Sequence, residues 1–172
     1  MGYMMMRILR HMLGRLWKSH PQDVDTTPQS GTDLSRFLGK WYEQARYDTD
    51  FEKGLDFVSA EYAEGEHGRV SITNRGLDSE GKPHQATAMG FPDGWGRMQV
   101  SFVPPYGWFR TPYHILYTDE QYQSALISGA DGEFLWLLTR QRIAPPEHIQ
   151  QLLVEARSRG FDTNLLRPTR QN

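Results

Sequence analysis

Cysteine is absent from the 172 residues. That excludes disulfides, thiolate nucleophiles, cysteine-ligated zinc and a lipid-bearing cysteine. Charge of one sign is not in excess either. A formal net charge of -2 gives a polyanion no reason to bind, so nucleic acid is not expected as a partner. Long apolar runs are missing as well. In the stretch "MGYMMMRILRHMLGRLWKSH" the basic residues Arg7, Arg10, Arg15 and Lys18 interrupt every apolar run before it nears the roughly 20 residues of a membrane span. The six histidines, at 11, 20, 67, 84, 114 and 148, include no pair at helical metal-site spacing. No phosphate-binding glycine loop occurs: "NRGLDSEGK" has the glycines of a hairpin without the Gly-x-x-x-x-Gly-Lys spacing. No cofactor and no catalytic residue is expected. Glu43 and Glu61 sit on strands with no partner fixed by spacing, and Ser71 and Ser128 lack a strained elbow around them.

What is present organises the chain into three parts. Residues 1–20 sort at helical period into a basic side and an apolar side, with Ile8, Leu9, Met12, Leu13, Leu16 and Trp17 on the latter. A basic amphipathic helix of this kind suits peripheral contact with an anionic membrane surface. Residues 21–32, rich in Pro, Thr, Ser and Gly, read as a linker. Residues 33–172 form the body.

Within the body, Asp33 caps a single helical turn that runs into Gly39. Eight short strands follow, each bounded by turn residues such as "EGEHG", "DSEGKP", "DGWG" and "GADGE". Trp41, Glu43, Ala45 and Tyr47 share one face of the first strand by alternation. No long helix separates the strands, which excludes a parallel α/β fold. Helical period appears only in "PPEHIQQLLVEARSRG", where Ile149, Leu152, Leu153 and Ala156 make an apolar stripe and Gly160 a natural cap. The order predicts an all-β chain: an eight-stranded antiparallel up-and-down barrel, with the C-terminal helix packed on its wall. A barrel of that size holds packed side chains or one small ligand.

The residues expected to point inward are mostly apolar or aromatic. They are Val58, Ala60 and Tyr62 on the second strand, and Val70, Ile72 and Asn74 on the third. Val100 and Phe102 follow on the fifth, Tyr113 and Ile115 on the sixth, Trp136 and Leu138 on the eighth. Tyr117 is expected to join them as a further inward hydroxyl. Such a lining suits a small hydrophobic or amphiphilic ligand better than a sugar or a nucleotide. Arg46 and Arg75, near strand ends, are candidates to meet an acidic head group.

Quoted segment by segment, the body resembles the lipocalin family, in its bacterial outer-membrane and apolipoprotein-D-like branch. "FLGKWYEQARYDTDFEKGL" is similar to that branch's opening signature, with Gly39 and Trp41 as its Gly-x-Trp. "YTDEQYQSALI" matches its Thr-Asp-x-x-Tyr segment through Thr118, Asp119 and Tyr122, and "LWLLTR" ends on Arg140 at the place of its third signature. The resemblance implies that Trp41 plugs a closed end with Arg140 across it, both structural. It also implies a fatty acid or lysophospholipid in the barrel, for lipid storage or transport in membrane maintenance. The head group would then sit at an open mouth near residues 51–56, 76–83 and 104–112. The same resemblance implies an outer-membrane or periplasmic place. Lacking the branch's lipidated cysteine, the chain leaves the cytoplasm as the other expectation. Two other functions remain open at this point: an enzyme on the same fold acting on a small lipophilic substrate, and a membrane-surface module led by residues 1–20. Oligomeric state has no sequence signal.

Overall fold

Alternating apolar and polar side chains between residues 39 and 139 fold into eight antiparallel strands: β1 (Gly39–Tyr47), β2 (Asp56–Glu64), β3 (Val70–Leu77), β4 (Pro83–Gly94), β5 (Arg97–Ser101), β6 (Thr111–Thr118), β7 (Ser124–Ser128) and β8 (Leu135–Thr139). The computed structural model describes residues 23–49, 52–102, 104 and 107–172. The amphipathic helix expected over residues 1–20 therefore lies outside the described residues. Each strand pairs with the next, and β1 pairs with both β2 and β8, so the sheet closes on itself. Closure leaves only part of β1 beyond the reach of β2 as an edge. A ninth short strand, β9 (Leu166–Pro168), adds to β1 alongside Ala45, Arg46 and Tyr47.

Connections after odd-numbered strands lie at one end of such a barrel, and those after even-numbered strands at the other. The second end is shut by α1 (Leu34–Phe37), whose N-cap Asp33 accepts from the Ser35 amide. Phe37 and Trp41 lie inside it with rings stacked 5.0 Å apart, above Val70, Met98, Ile115 and Ile127. The first end carries the connections after β1, β3, β5 and β7 and is the mouth.

Outside the barrel a second apolar layer forms under α2 (Pro146–Ser158). Leu152 and Ala156 are fully buried against Leu116, Leu126 and Leu137, so the stripe read from the sequence faces the wall. Proline at the first helical turn and Gly160 at φ +88° bound this helix, with the Phe161 amide donating back to Ala156.

Residues 23–32, expected as a linker, run along the wall. The Gln29 amide donates to the Ile115 carbonyl, His114 Nδ1 lies 2.8 Å from the Thr26 carbonyl, and Thr26 Oγ1 donates to Ala130.

Two β-bulges alter which side chains face in. β1 slips against β8 between Glu43 and Ala45. Trp41 and Glu43 remain inside, but Ala45 and Tyr47 turn outward into the layer under α2, and Arg46 turns inward. The face shared by Trp41, Glu43, Ala45 and Tyr47 is thus corrected. β6 slips against β7 between Ile115 and Tyr117. That corrects Tyr117, which packs outside with its hydroxyl accepting from Gln151 of α2. The bulge also turns carbonyls out of the ladder, and Gln29 and Arg159 supply donors to Ile115 and Leu116.

Candidate functional site: the barrel cavity

The closed end can be built from its glycine. Gly39 adopts φ +99°, a conformation disfavoured for other residues, and a Cβ there would stand 3.1 Å from Arg140 Nη1. The bare backbone lets Arg140 lie flat beneath the first turn. Its guanidinium carbon sits 3.9 Å from the Trp41 ring centroid, a cation–π contact. The guanidinium donors go to the carbonyls of Lys40 (3.1 Å), Arg36 (2.8 Å) and Phe37 (3.2 Å), and Nε to Tyr122 (3.1 Å). Trp41, wholly buried, donates Nε1 to the Phe37 carbonyl at 2.7 Å.

Above this floor an apolar cavity opens towards the mouth. β2 supplies Val58, Ala60 and Tyr62, β3 supplies Ile72 and Asn74, and Val100 with Phe102 come from β5 and its end. Tyr113 on β6 and Trp136 with Leu138 on β8 complete the expected set. Val70 and Ile115 do not line it. Both are buried against Met98 and Phe37 in the closed-end core, because they lie at the closed-end extremes of the inward faces of β3 and β6. Aromatic rings form one wall: Trp136 stacks on Phe134 at 5.4 Å and lies 6.4 Å from Tyr113. The Tyr62 and Tyr113 hydroxyls are 2.6 Å apart, and burial holds both above the usual phenol pKa.

Five lining residues escaped the sequence reading: Glu43, Glu52, Thr111, Pro112 and Phe134. Phe134 carried a signal, since it stands two residues before Trp136 on the same alternating face. Glu43 carried one too, two residues after Trp41. Glu52 carried none, because a side chain in an irregular connection has no period to read.

Neither arginine offered for an acidic head group lies in the lining. Arg46 is fully buried and donates Nη1 to Glu43 (2.5 Å) and Thr169 (3.1 Å), and Nη2 to the carbonyls of Glu52 (2.7 Å) and Leu55 (3.1 Å). Arg75 pairs on the outer surface with Glu61 at 2.9 Å and with Gln85. The first departs because its guanidinium is taken up by these buried partners behind the lining; the second because it points away from the lumen.

Glu52 is the unusual group. Its carboxyl accepts from Trp136 Nε1 at 2.9 Å and Thr49 Oγ1 at 3.5 Å. Burial, aided by Glu43 nearby, raises its pKa from 4.5 to about 8, against the opposing pull of Arg46. The folded chain therefore holds a proton that the unfolded chain releases near pH 4.5. Stability is expected to be fully present below that value and to fall as pH rises through the interval up to about 8. Urea denaturation across this interval, alongside Glu52→Gln, checks this: the variant should show a flatter profile, and an equal slope would refute the assignment.

Comparison with known proteins places this geometry. A family model for the lipocalin-like domain matches residues 32–171. The chain is 38% identical over 148 residues to outer membrane lipoprotein Blc of Vibrio cholerae, covering 81% of this chain and 82% of that protein. It is 28% identical over 155 residues to mouse apolipoprotein D, covering 83% and 79% respectively. Among solved structures, insecticyanin from the tobacco hornworm Manduca sexta superposes with a TM-score of 0.68 at 19% identity, covering 85% of this chain and 84% of that one.

Proposed function

Because the chain belongs to the lipocalin family, in the branch that holds the bacterial Blc lipoproteins and apolipoprotein D, we propose that it is a binding protein for a single-chain lipid, a fatty acid or lysophospholipid, serving lipid storage or transport in membrane maintenance. The observation that carries this is the cavity itself: apolar, aromatic-walled, closed at one end by Trp41 and open at the other. Transfer of about ten methylenes into it would contribute roughly 8 kcal/mol, enough to offset much of the cost of association. A tail directed to the floor leaves the head group at the mouth, where water can solvate it.

The cavity's polar groups support binding over catalysis. The Tyr62 and Tyr113 hydroxyls hold each other, Glu43 is held by Arg46 and Thr169, and Glu52 by Trp136. Each has a partner that would have to be surrendered before it could act as a base or nucleophile.

The test is a fluorescence titration of the full chain with palmitate and with lysophosphatidylcholine, following tryptophan emission, beside a Val100→Phe variant that fills the lumen. Saturable 1:1 binding is expected, weakened at least about tenfold in the variant. Absence of saturable binding to either lipid, or equal affinity in the variant, would overturn the proposal.

A further inference from the structure

The cavity holds two carboxyls and, among the described residues that line it, no lysine, arginine or histidine. Glu43 is 2% exposed and Glu52 6%. Arg46, behind the lining, serves only the first of them directly: its Nη1 meets the Glu43 carboxylate, while its Nη2 passes the Glu52 carboxyl by and takes that residue's backbone carbonyl instead. The carboxyl of Glu52 is left with neutral donors, the Trp136 indole and the Thr49 hydroxyl. Other titratable groups that face it add no positive charge. Tyr62 from β2 and Tyr113 from β6 are phenols engaged with each other, and Glu43 from β1 is an acid. Neutral or amine-bearing heads can approach such a site at low cost. A second anion would meet two acids and low dielectric, with the nearby cation Arg46 already bound to Glu43.

We propose that Glu52 sets the charge preference of the barrel, which takes a single-chain amphiphile bearing a primary amine more tightly than the same chain bearing a carboxylate, with Glu52 as the counter-ion. This rests on the reading that the lumen holds an alkyl chain. A fatty acid is accommodated when its carboxylate stays in water at the mouth. An ammonium head can come inside, to the level of the Trp136 indole, and keep its three N–H donors satisfied by Glu52 and neighbouring oxygens.

The step is a proton exchange and balances simply. The ammonium enters with its charge, Glu52 gives its proton to solvent, and an ion pair replaces a neutral acid. Since Glu52 holds that proton up to about pH 8, amine binding should release a proton at neutral pH and strengthen as pH rises towards that value. Carboxylate binding should weaken over the same interval.

The experiment titrates the full chain with decylamine, decanoate and 1-decanol by calorimetry, at about pH 6 and about pH 8 and in two buffers of different ionisation enthalpy. Expected is an affinity for decylamine at least about tenfold above that for decanoate at the higher pH, with about one proton released per amine bound at about pH 6 and about half a proton at about pH 8. In Glu52→Gln the amine preference and the proton release should both disappear. Equal affinities, tighter decanoate, no proton release, or a preference that survives in the variant would each overturn the proposal. Proton release is measured on the native chain, so the test stands even where the variant folds poorly. Saturable decanol binding without an amine preference would sink this inference alone. No binding by any of the three would sink the lipid-carrier reading with it.

Discussion

Arg46→Met should destabilise the protein by roughly 3–5 kcal/mol, a large fraction of a domain's total stability. Burial of a guanidinium is costly, and what offsets it here is its set of partners. The Glu43 carboxylate, the Thr169 hydroxyl and the carbonyls of Glu52 and Leu55 all converge on it. Methionine fills most of the volume and supplies none of the donors. Glu43 is left as a buried carboxylate without its counter-ion, and two carbonyls lose their donors. Three segments come loose together: β1, the mouth connection that carries Glu52, and the C-terminal tail. That tail is also tied in by Gln171, which donates to the carbonyls of Glu43 and Val58 at 2.8 Å each. Urea denaturation monitored by tryptophan emission gives the number. Pairing the change with Glu43→Gln should recover part of the loss, because the orphaned charge goes too. A single variant within about 1 kcal/mol of the parent would show that water, not Arg46, compensates Glu43.

The second large effect is expected at the closed end. Trp41→Ala should cost roughly 3–5 kcal/mol, the range for removing a wholly buried large aromatic. Several contacts go at once: the stack on Phe37, the indole donor to the Phe37 carbonyl and the ring face under Arg140. Arg140 would keep its carbonyl bonds to Lys40, Arg36 and Phe37 but lose the surface it lies on. A double-mutant cycle with Trp41→Leu and Arg140→Leu isolates that contact, and a coupling of about 1–2 kcal/mol is expected. Additive effects would mean that Arg140 acts through its carbonyl bonds alone. Ligand binding in Trp41→Leu should respond less than in the lumen-filling Val100→Phe, since Trp41 closes the barrel below the cavity lining.

The strand order was legible because it depends on local information, and the closed end only through the resemblance of its signature residues. Gly39 before Trp41, the turn residues between alternating runs, and the period of residues 146–158 are properties of neighbouring residues, and neighbours decide backbone preference and facing. Most of the lining followed from the same alternation. Val58, Ala60 and Tyr62, with Ile72 and Asn74 opposite, needed only a period of two. The two bulges broke that period. An extra residue at Gln44 exchanges the faces of everything after it in β1, which put Arg46 inside and Ala45 and Tyr47 outside. Its counterpart in β6 sent Tyr117 to the helix. Register slips are settled by pairing with another strand, so no pattern within the strand itself announces them.

By itself, then, the sequence determined an antiparallel barrel with a largely apolar lumen and one helix on its wall, because hydrophobic period and turn chemistry act over a few residues. The tertiary structure alone decided the charge inside that lumen. Glu52 lies outside the strands, and only the tertiary fold brings its carboxyl to Trp136, 84 residues on. Only a slip between β1 and β8 turns Arg46 inward to Glu43, and only that arrangement leaves the second carboxyl facing the cavity. Burial, which sets both the pKa of Glu52 and the cost of Arg46, arises from the assembled barrel.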